Sequence, residues 1–290
     1  MRDLDVILVN YKTGELARAA AGSVAGDGTE VWIVDNSGEL LAEPPAGANL
    51  LGDGSNAMYA RASNDAYARG SAEYVLLLNP DVVITRDGLE RLVDELDGDK
   101  TLWAVAPRLL GADDHQYLRR LPSTSALLAD LAPPLRIFLR RAYGYYHCAD
   151  LDPAIPSSVA QPAAACLLVR RSLVGSELFD EGYRLFFNDT DLSRRMASAG
   201  WGVGYRPAVT ATHIGGASIA EERRSGPDWV GAEYDRAALR YARHNLRGWW
   251  LLAAVIALRR VARSLRDLAR TRRRQGDTAG GSGRPRTFAR

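Results

Sequence analysis

The sequence contains little that would carry the protein out of the cell or across a membrane. Only two of its 290 residues are cysteines, and Cys148 and Cys166 have neither metal-ligand spacing nor a disulfide framework, which fits a reducing compartment. The N-terminus, MRDLDVILVN, carries acids where a signal peptide has bases, and its apolar run is too short for a hydrophobic signal core. The apolar stretch WWLLAAVIAL, at 249–258, is also short, because a spanning helix needs about 20 residues. These absences favour a cytoplasmic protein.

Acidic residues are scarce in one region only. The whole chain has a formal net charge of +2, 47% hydrophobic residues and 8% aromatic residues, so it is an ordinary globular sequence able to bury a sizeable core. Between residues 240 and 274, however, eleven arginines accompany a single acid, Asp267. The C-terminal region is therefore basic, and the body is mildly acidic.

Apolar runs alternate with helical patterns along the first 110 residues, and no internal repeat is found. This alternation predicts an α/β fold with a mostly parallel, doubly wound sheet. Residues 111–160 hold scattered prolines and predict a long excursion from that fold, not a new domain. The predicted strands are 5–11, 30–38, 73–81 and 102–110, and the predicted helices fall within 13–26, 59–66 and 88–98.

Three of these apolar runs end in hydrogen-bonding residues. Ligands of open α/β sheets bind outside the carboxyl ends of the strands, so we expect the polar residues to meet at one site. Turn formation is the alternative for each taken singly. No glycine-rich phosphate loop follows the first strand, which excludes the dinucleotide fingerprint and the P-loop. A divalent cation held by a strand-end carboxylate would neutralise a phosphorylated ligand instead. The residues are Asn10 and Tyr11, then Asp35, Asn36 and Ser37, then Asn79 and Asp81.

Seven ordered blocks between about residues 4 and 218 resemble the family 2 glycosyltransferases, most of all the bacterial rhamnosyltransferase branch. They are VILVNYKTGEL, VWIVDNSG, SNAMYARASNDAY, YVLLLNPDVVI, QPAAACLLVRRSLV, LFDEGYRLFFNDTDLSRRMASAGW and THIGGAS. The resemblance implies a GT-A fold, a Rossmann-like and mostly parallel sheet, in a domain over 1–220. It also implies a nucleotide-diphosphate sugar donor, a Mg²⁺ or Mn²⁺ cofactor and inversion at the anomeric carbon.

The resemblance implies a role for each residue that matches a family motif. The residues expected to bind the donor are Asn10, Tyr11, Asp35, Asn36, Asn56, Asn64 and Asn79. Those expected to bind the metal are Asp81, in the motif usually written Asp-x-Asp, and His213. Those expected to be catalytic are Asp189 as the base and Asp191 as a positioning residue able to pair with Arg194 or Arg195.

The chain departs from the family pattern at three positions. Met58 and Ala62 stand where relatives have glycine, and Asn188 replaces the leading acid of the Glu-Asp-x-Asp block. An alternative is therefore a catalytically silent paralogue that binds sugar nucleotides. A sugar nucleotidyltransferase is a further alternative, but it would need a glycine-rich basic loop after the first strand. In a non-catalytic interpretation, Asn188 or Asp189 is simply the N-cap of the helix that follows.

The C-terminal region predicts a helical, basic, amphipathic extension over 221–275 and a disordered tail over 276–290. Tryptophans at one end of WWLLAAVIAL and arginines at the other are typical of a helix lying on an anionic membrane. The alternative is an amphipathic helix that covers the core. The membrane interpretation predicts a protein peripheral to the inner face of the cell membrane, a glycan or lipid-linked acceptor and a role in cell-envelope biosynthesis. Nucleic-acid binding is disfavoured because aromatic residues do not alternate with the arginines.

Overall fold

The computed structural model describes residues 3–111, 118–214 and 229–279, with side chains described as far as residue 265. The strands are β1 Leu4–Asn10, β2 Thr29–Asp35, β3 Ala48–Leu51, β4 Tyr74–Leu78, β5 Val82–Ile84, β6 Leu102–Leu110, β7 Leu118–Arg119, β8 Ser157–Ser158, β9 Gln161–Pro162, β10 Cys166–Arg170 and β11 Gly202–His213. The α-helices are α1 Gly14–Val24, α2 Tyr59–Tyr67, α3 Arg86–Gly98, α4 Thr124–Leu131, α5 Arg140–Tyr146, α6 Arg171–Val174, α7 Asn188–Ser198, α8 Trp229–Asn245 and α9 Trp249–Ala279, and a 3-10 helix spans Pro133–Ile137.

The central sheet has the order β3-β2-β1-β4-β10-β6-β11-β5, and β8 pairs with β11. Strands β3, β2, β1 and β4 are parallel neighbours. Strand β10 runs antiparallel to both β4 and β6, and β11 is parallel to β6. Six strands, β1 to β4 with β6 and β11, therefore point in one direction, and the prediction of a mostly parallel α/β sheet is confirmed. The strand order reverses between β1 and β4, and open sheets of this kind bind ligands at such a switch point.

The sheet is covered on both faces, as continuous apolar strands require. Every residue of β1 is buried. Helices α1 and α3 pack on one face through residues such as Val24 and Leu92. Helices α2 and α7 pack on the other, where Ala66 and Met196 contribute. This three-layer arrangement holds the strand ends, and the polar residues that follow them, in fixed positions.

A third apolar cluster joins the C-terminal helices to the excursion at 111–160. It includes Leu127 of α4, Tyr241 of α8 and both Leu252 and Ile256 of α9. The inner face of α9 therefore covers a core, as the alternative interpretation of this helix predicts. No helix among the described residues is long and apolar enough to cross a membrane.

The predicted boundaries of the C-terminal extension fall partly outside the described residues. Residues 221–228 and 280–290 lie there, whereas α9 runs to Ala279 and so enters the segment predicted as a disordered tail. The excursion contains more helix than its prolines suggest. Ser123 caps α4 by accepting a hydrogen bond from the Ala126 N–H, and the pair of prolines at 133–134 begins the 3-10 helix.

Candidate active site

A cavity of about 350 Å³ lies at the carboxyl ends of β1, β2 and β4. It is closed on the opposite side by the first turns of α7 and α8. An adjoining, more open cavity of about 600 Å³ is lined by Lys12, Ser37, Glu39 and Gly54, and it shares other walls with the first. The expected site residues that line the 350 Å³ cavity are Tyr11, Asn36, Asn56, Asn79, Asp81, Asp189 and His213.

Asn10 and Asp35 lie behind the cavity wall and line neither cavity. The Asp35 carboxylate accepts hydrogen bonds from Asn10 Nδ2 at 3.0 Å and from the Leu40 N–H at 2.7 Å. It also accepts bonds from Ser37 and from the Gly38 N–H. Burial opposes ionisation, but these bonds outweigh it and hold the pKa of Asp35 below its ordinary value. In this structure the two side chains therefore fix the turn that presents Asn36 and Ser37.

Asp81 and His213 come together from distant parts of the chain. Asp81 follows β4, and His213 is the last residue of β11, whose pairing with β5 sets it opposite Val82. His213 Nε2 lies 3.2 Å from Asp81 Oδ1, and both side chains are buried. A carboxylate oxygen and an imidazole nitrogen at this spacing suit a divalent transition metal such as Mn²⁺, with phosphate oxygens completing its coordination. Within the described ranges no group of three or more His, Cys, Asp or Glu side chains is assembled for a metal.

Asp189 lines the cavity from the first turn of α7. The prediction that Asn188 or Asp189 caps this helix is wrong, because the N-cap is Phe187, in a left-handed conformation and without a side-chain cap bond. The Asn188 side chain instead donates to the Leu185 carbonyl. Burial raises the pKa of Asp189, although hydrogen bonds from Thr190 and Gln161 oppose the rise. A partly buried carboxylate with a raised pKa, facing a cavity from the first turn of a helix, is suited to act as a general base.

Asp191 and Asn64 lie outside both cavities. Asp191 Oδ2 accepts a hydrogen bond from Arg195 Nε at 3.1 Å, which confirms one of its two predicted helical pairings. Burial raises the pKa of Asp191 while Arg195 lowers it. Asn64 Nδ2 donates to the Phe179 carbonyl and Asn64 Oδ1 accepts from the Phe179 N–H, at 2.9 Å each. In this structure both residues therefore hold neighbouring segments together.

Met58, at a glycine position of the family motif, has φ 67° and ψ 167°. Residues other than glycine rarely adopt such a backbone conformation, which costs about 1–3 kcal/mol. Its carbonyl nevertheless accepts a hydrogen bond from the Ala62 N–H at the start of α2. The backbone therefore keeps the shape that glycine would favour, and the Met58 side chain forms part of the cavity wall.

Comparison with known proteins agrees with the fold. No protein-family model matches the chain. It is 27% identical, over 94% of its length and 96% of the relative's, to an N-acetylglucosaminyl-diphospho-decaprenol L-rhamnosyltransferase of Mycobacterium tuberculosis. The chain is therefore similar to the family 2 glycosyltransferases. It resembles the bacterial rhamnosyltransferases within that family.

A solved GT-A glycosyltransferase shares this fold. GalNAc-T7, crystallised with UDP, GalNAc and Mn²⁺, matches 74% of the chain with a TM-score of 0.53 and 13% identity. The matched region spans only 44% of that protein. A mannosyltransferase of Pyrobaculum calidifontis, in complex with GDP-Man and Mn²⁺, is 17% identical over 90% of the chain and 82% of its own, with a TM-score of 0.49.

The candidate site also contains residues that the sequence motifs do not indicate. Tyr59 lines the cavity, and burial, followed by the charge of Asp189, raises the pKa of its hydroxyl. Gln161 interacts with Asp189 from β9. Trp229, at the start of α8, closes the far side. Gln161 opens the block QPAAACLLVRRSLV, but its position before an apolar strand does not reveal that β9 turns it towards α7.

Proposed function

We propose that this transferase inverts the configuration of the sugar that it moves from a nucleotide-diphosphate donor to a lipid-linked hydroxyl acceptor. The donor is dTDP-rhamnose, and the product belongs to cell-envelope biosynthesis. The observation that carries the proposal is the 350 Å³ cavity, which has Asp81 and His213 on one wall and Asp189 on another. The M. tuberculosis relative, named as a rhamnosyltransferase acting on a diphospho-decaprenol acceptor, supports the choice of sugar and of acceptor.

The donor diphosphate needs a positive partner that the cavity wall does not supply. Among the described residues that line the 350 Å³ cavity there is no lysine or arginine. Asp81 and His213 fit a Mg²⁺ or Mn²⁺ ion, which would neutralise the diphosphate and stabilise it as it departs. Tyr11, Asn36 and Asn56 line both this cavity and the 600 Å³ cavity, so we place the nucleoside where the two cavities meet.

The acceptor hydroxyl must lose its proton as its oxygen attacks the anomeric carbon. Asp189 is the base, because it lines the same cavity from α7 and is separate from the Asp81 wall. Ionised Asp189 takes the proton and is neutral afterwards, which its buried position favours. Asp191 acts as a positioning residue through Arg195 and the fold of α7.

Peripheral membrane contact through α9 is part of the proposal. Its outer face exposes Leu258, Val261 and Leu265, while Leu252 and Ile256 face the core. Arg259 Nη1 donates to the carbonyl of Leu131, just before the 3-10 helix. That helix and its next residue expose two more apolar side chains, Ile137 and Phe138, the latter 82% exposed.

These five exposed apolar side chains, Leu258, Val261, Leu265, Ile137 and Phe138, are together called the apolar face. The sequence around the 3-10 helix is basic, since residues 131–149 contain Arg136, Arg140 and Arg141 and no acid. Apolar side chains beside arginines complement an anionic lipid surface. A lipid-linked acceptor would be reached at such a surface.

The test is metal-dependent donor binding, measured by calorimetric titration of dTDP with Mn²⁺ or with EDTA, followed by transfer from dTDP-rhamnose. We expect Asp81→Ala to abolish the Mn²⁺-dependent binding without changing the fold. Asp87→Ala, which removes an exposed carboxylate of α3, is the matched control. Equal affinity of wild type and Asp81→Ala would contradict the metal assignment.

A silent sugar-nucleotide binder is the second candidate, because Asn188 replaces the family acid and is engaged with the Leu185 carbonyl. Donor hydrolysis separates the two functions. A transferase releases sugar to water slowly when acceptor is absent, whereas a silent binder leaves dTDP-rhamnose intact in the presence of Mn²⁺.

A further inference from the structure

A second cavity, of about 250 Å³, lies on the other side of Asp189. Asp189 lines both this cavity and the 350 Å³ cavity proposed to bind the donor, so its carboxylate lies between them. The other polar walls of the 250 Å³ cavity include Arg119, Asp130, His147, Gln161 and Tyr234. An acceptor that reaches Asp189 without displacing the donor would enter from this side.

The cavity holds polar groups suited to a sugar. Gln161 is buried, and no described residue forms a hydrogen bond with its Oε1. Asp130 accepts a hydrogen bond from Tyr234 Oη at 2.7 Å and lies 3.4 Å from His147 Nε2. Burial opposes ionisation of Asp130, but His147 and Tyr234 outweigh it and lower its pKa. Asp130 is therefore an ionised, fixed acceptor for hydroxyl groups.

Arg119 brings an available positive charge to this cavity. It lies on β7, paired with Gln161 of β9, and its Nη1 donates to the carbonyl of Leu118 at 2.8 Å. The described part of the chain supplies no carboxylate as an ion-pair partner for Arg119. The next residue differs, since Arg120 forms two hydrogen bonds with Asp150, at 2.6 and 2.8 Å. A half-buried guanidinium without a carboxylate partner is suited to a phosphate ligand.

A third cavity, of about 660 Å³, adjoins the second one and shares Arg119, Asp130, His147 and Ala163 with it. Its other walls are mainly apolar and include Leu109, Leu151, Pro153 and Tyr205. Arg119 thus lies where a polar cavity beside Asp189 meets a larger, more apolar one.

We propose that Arg119 binds the diphosphate of a prenyl-diphosphate-linked sugar acceptor, with its sugar beside Asp189 and Gln161 and the start of its prenyl chain in the 660 Å³ cavity. This inference rests on the proposed function for the identity of the acceptor. The order of chemical groups in such an acceptor, sugar then diphosphate then prenyl chain, matches the order of polar cavity, arginine and apolar cavity. Arg119 is a binding residue in this arrangement and takes no part in proton transfer.

The test is calorimetric titration with geranyl diphosphate in EDTA, which removes the metal that the donor site would need. We expect wild type and Asp81→Ala to bind it alike and Arg119→Ala to bind about ten- to a hundredfold more weakly, as loss of a charge-assisted contact predicts. Arg119→Lys should recover part of the affinity. Arg120→Ala, which removes an arginine already paired with Asp150, should bind as wild type does.

Absence of binding by wild type, or equal binding by wild type and Arg119→Ala, would overturn the inference. Transfer assays with two acceptors of the same sugar add a second readout: Arg119→Ala should raise KM for the prenyl-diphosphate sugar and leave KM for its octyl glycoside unchanged. Equal increases for both acceptors would count against the inference. Failure of the proposed function would be a separate result. In that case the wild-type protein would bind geranyl diphosphate but would neither transfer nor hydrolyse the sugar of dTDP-rhamnose.

Discussion

Asp189 illustrates how the surroundings of one residue change its ionisation and so suit it to the proposed role of base. Its carboxylate lies between the 350 Å³ cavity and the 250 Å³ cavity, and burial raises its pKa. A base with a raised pKa holds the acceptor's proton more readily, and it is still ionised when the pH exceeds that pKa. The neighbouring Asp191, in contrast, is engaged by Arg195.

Asp189→Asn should lower turnover about 10²- to 10⁴-fold, which is the usual contribution of general base catalysis. Donor affinity should hardly change, because the proposed metal ligands are Asp81 and His213. Steady-state transfer with calorimetric donor binding checks both expectations. Asp191→Asn is the matched control and should cost less in turnover. Transfer by Asp189→Asn within a few-fold of wild type would remove this residue from the mechanism.

The pH dependence of transfer follows from the direction of the Asp189 pKa shift. The base must be ionised, so the rate should fall as the pH is lowered through the raised pKa, at a higher pH than for an unperturbed aspartate of pKa about 3.9. The dependence of kcat on pH, recorded over a range in which the protein remains folded, measures this limb. An acid limb at the unperturbed value would show that Asp189 is not the titrating base.

Substitutions of Met58 test how far the stability of its positive-φ backbone conformation depends on the residue type. Met58→Gly relieves a strain of about 1–3 kcal/mol, but it loses side-chain contacts and pays about 0.5–1 kcal/mol in unfolded-chain entropy. We therefore expect a free energy of unfolding within about 1 kcal/mol of wild type. Met58→Val should be destabilised by about 2 kcal/mol or more, because a β-branched side chain tolerates positive φ poorly. Urea unfolding compares the two, and greater loss in the glycine variant would contradict the expectation.

At the scale of elements, α9 is attached to α8 by charge as well as by apolar contact. Asp235 of α8 is fully buried, and its carboxylate accepts hydrogen bonds from Arg259 at 3.0 Å and Arg263 at 2.5 Å. Both arginines belong to the basic stretch that the sequence assigns to a membrane surface. In the structure these two point inwards, whereas Arg260 is exposed.

Asp235→Ala should lower the free energy of unfolding by about 3 kcal/mol, because it leaves two guanidinium groups beside a buried position without their partner. It should also make α9 more sensitive to trypsin. Chemical denaturation and limited proteolysis measure the two effects. Arg260→Ala removes an exposed arginine of the same helix and should behave as wild type. Unchanged stability and cleavage in Asp235→Ala would show that apolar contacts alone hold α9.

At the scale of the whole molecule, the apolar face and its arginines determine how the protein would meet a membrane. Deleting α9 would be a poor test, because Leu252 and Ile256 belong to the third core. Substitutions on the exposed side separate membrane contact from folding. Leu258 is 71% exposed, so replacing it removes little packing.

The double variant Leu258→Ser with Phe138→Ser should lose most of its co-sedimentation with anionic vesicles, because binding scales with buried apolar area and with attraction to anionic lipid. Binding of wild type should weaken as salt screens the arginines. Leu41→Ser, at an exposed leucine outside the apolar face, is the control. Equal sedimentation of the double variant and wild type would exclude this face as the contact.

The sequence determined the main elements and the edge of the sheet where the candidate site lies. Strand β6 has the predicted bounds, and β1, β2 and β4 end at or next to the polar residues that mark the site. Local pattern suffices for this, because burial on both faces demands continuous apolar runs and parallel strands put their carboxyl ends on one edge. The helical pairing of Asp191 with Arg195 is local in the same way.

Only the tertiary structure decided which polar side chains face the cavity. Asn10 and Asp35 are the last residues of their strands, as the pattern predicts. The Asp35 carboxylate, however, accepts hydrogen bonds from Asn10 and from the turn that follows β2, so neither side chain lines the cavity. The meeting of Asp81 with His213 depends on β11 pairing with β5, and Arg119 reaches the cavity beside Asp189 only through the pairing of β7 with β9. Such contacts join residues far apart in the chain. Sequence periodicity misses them because it indicates which face of an element is buried, and it does not indicate which distant polar group forms each hydrogen bond.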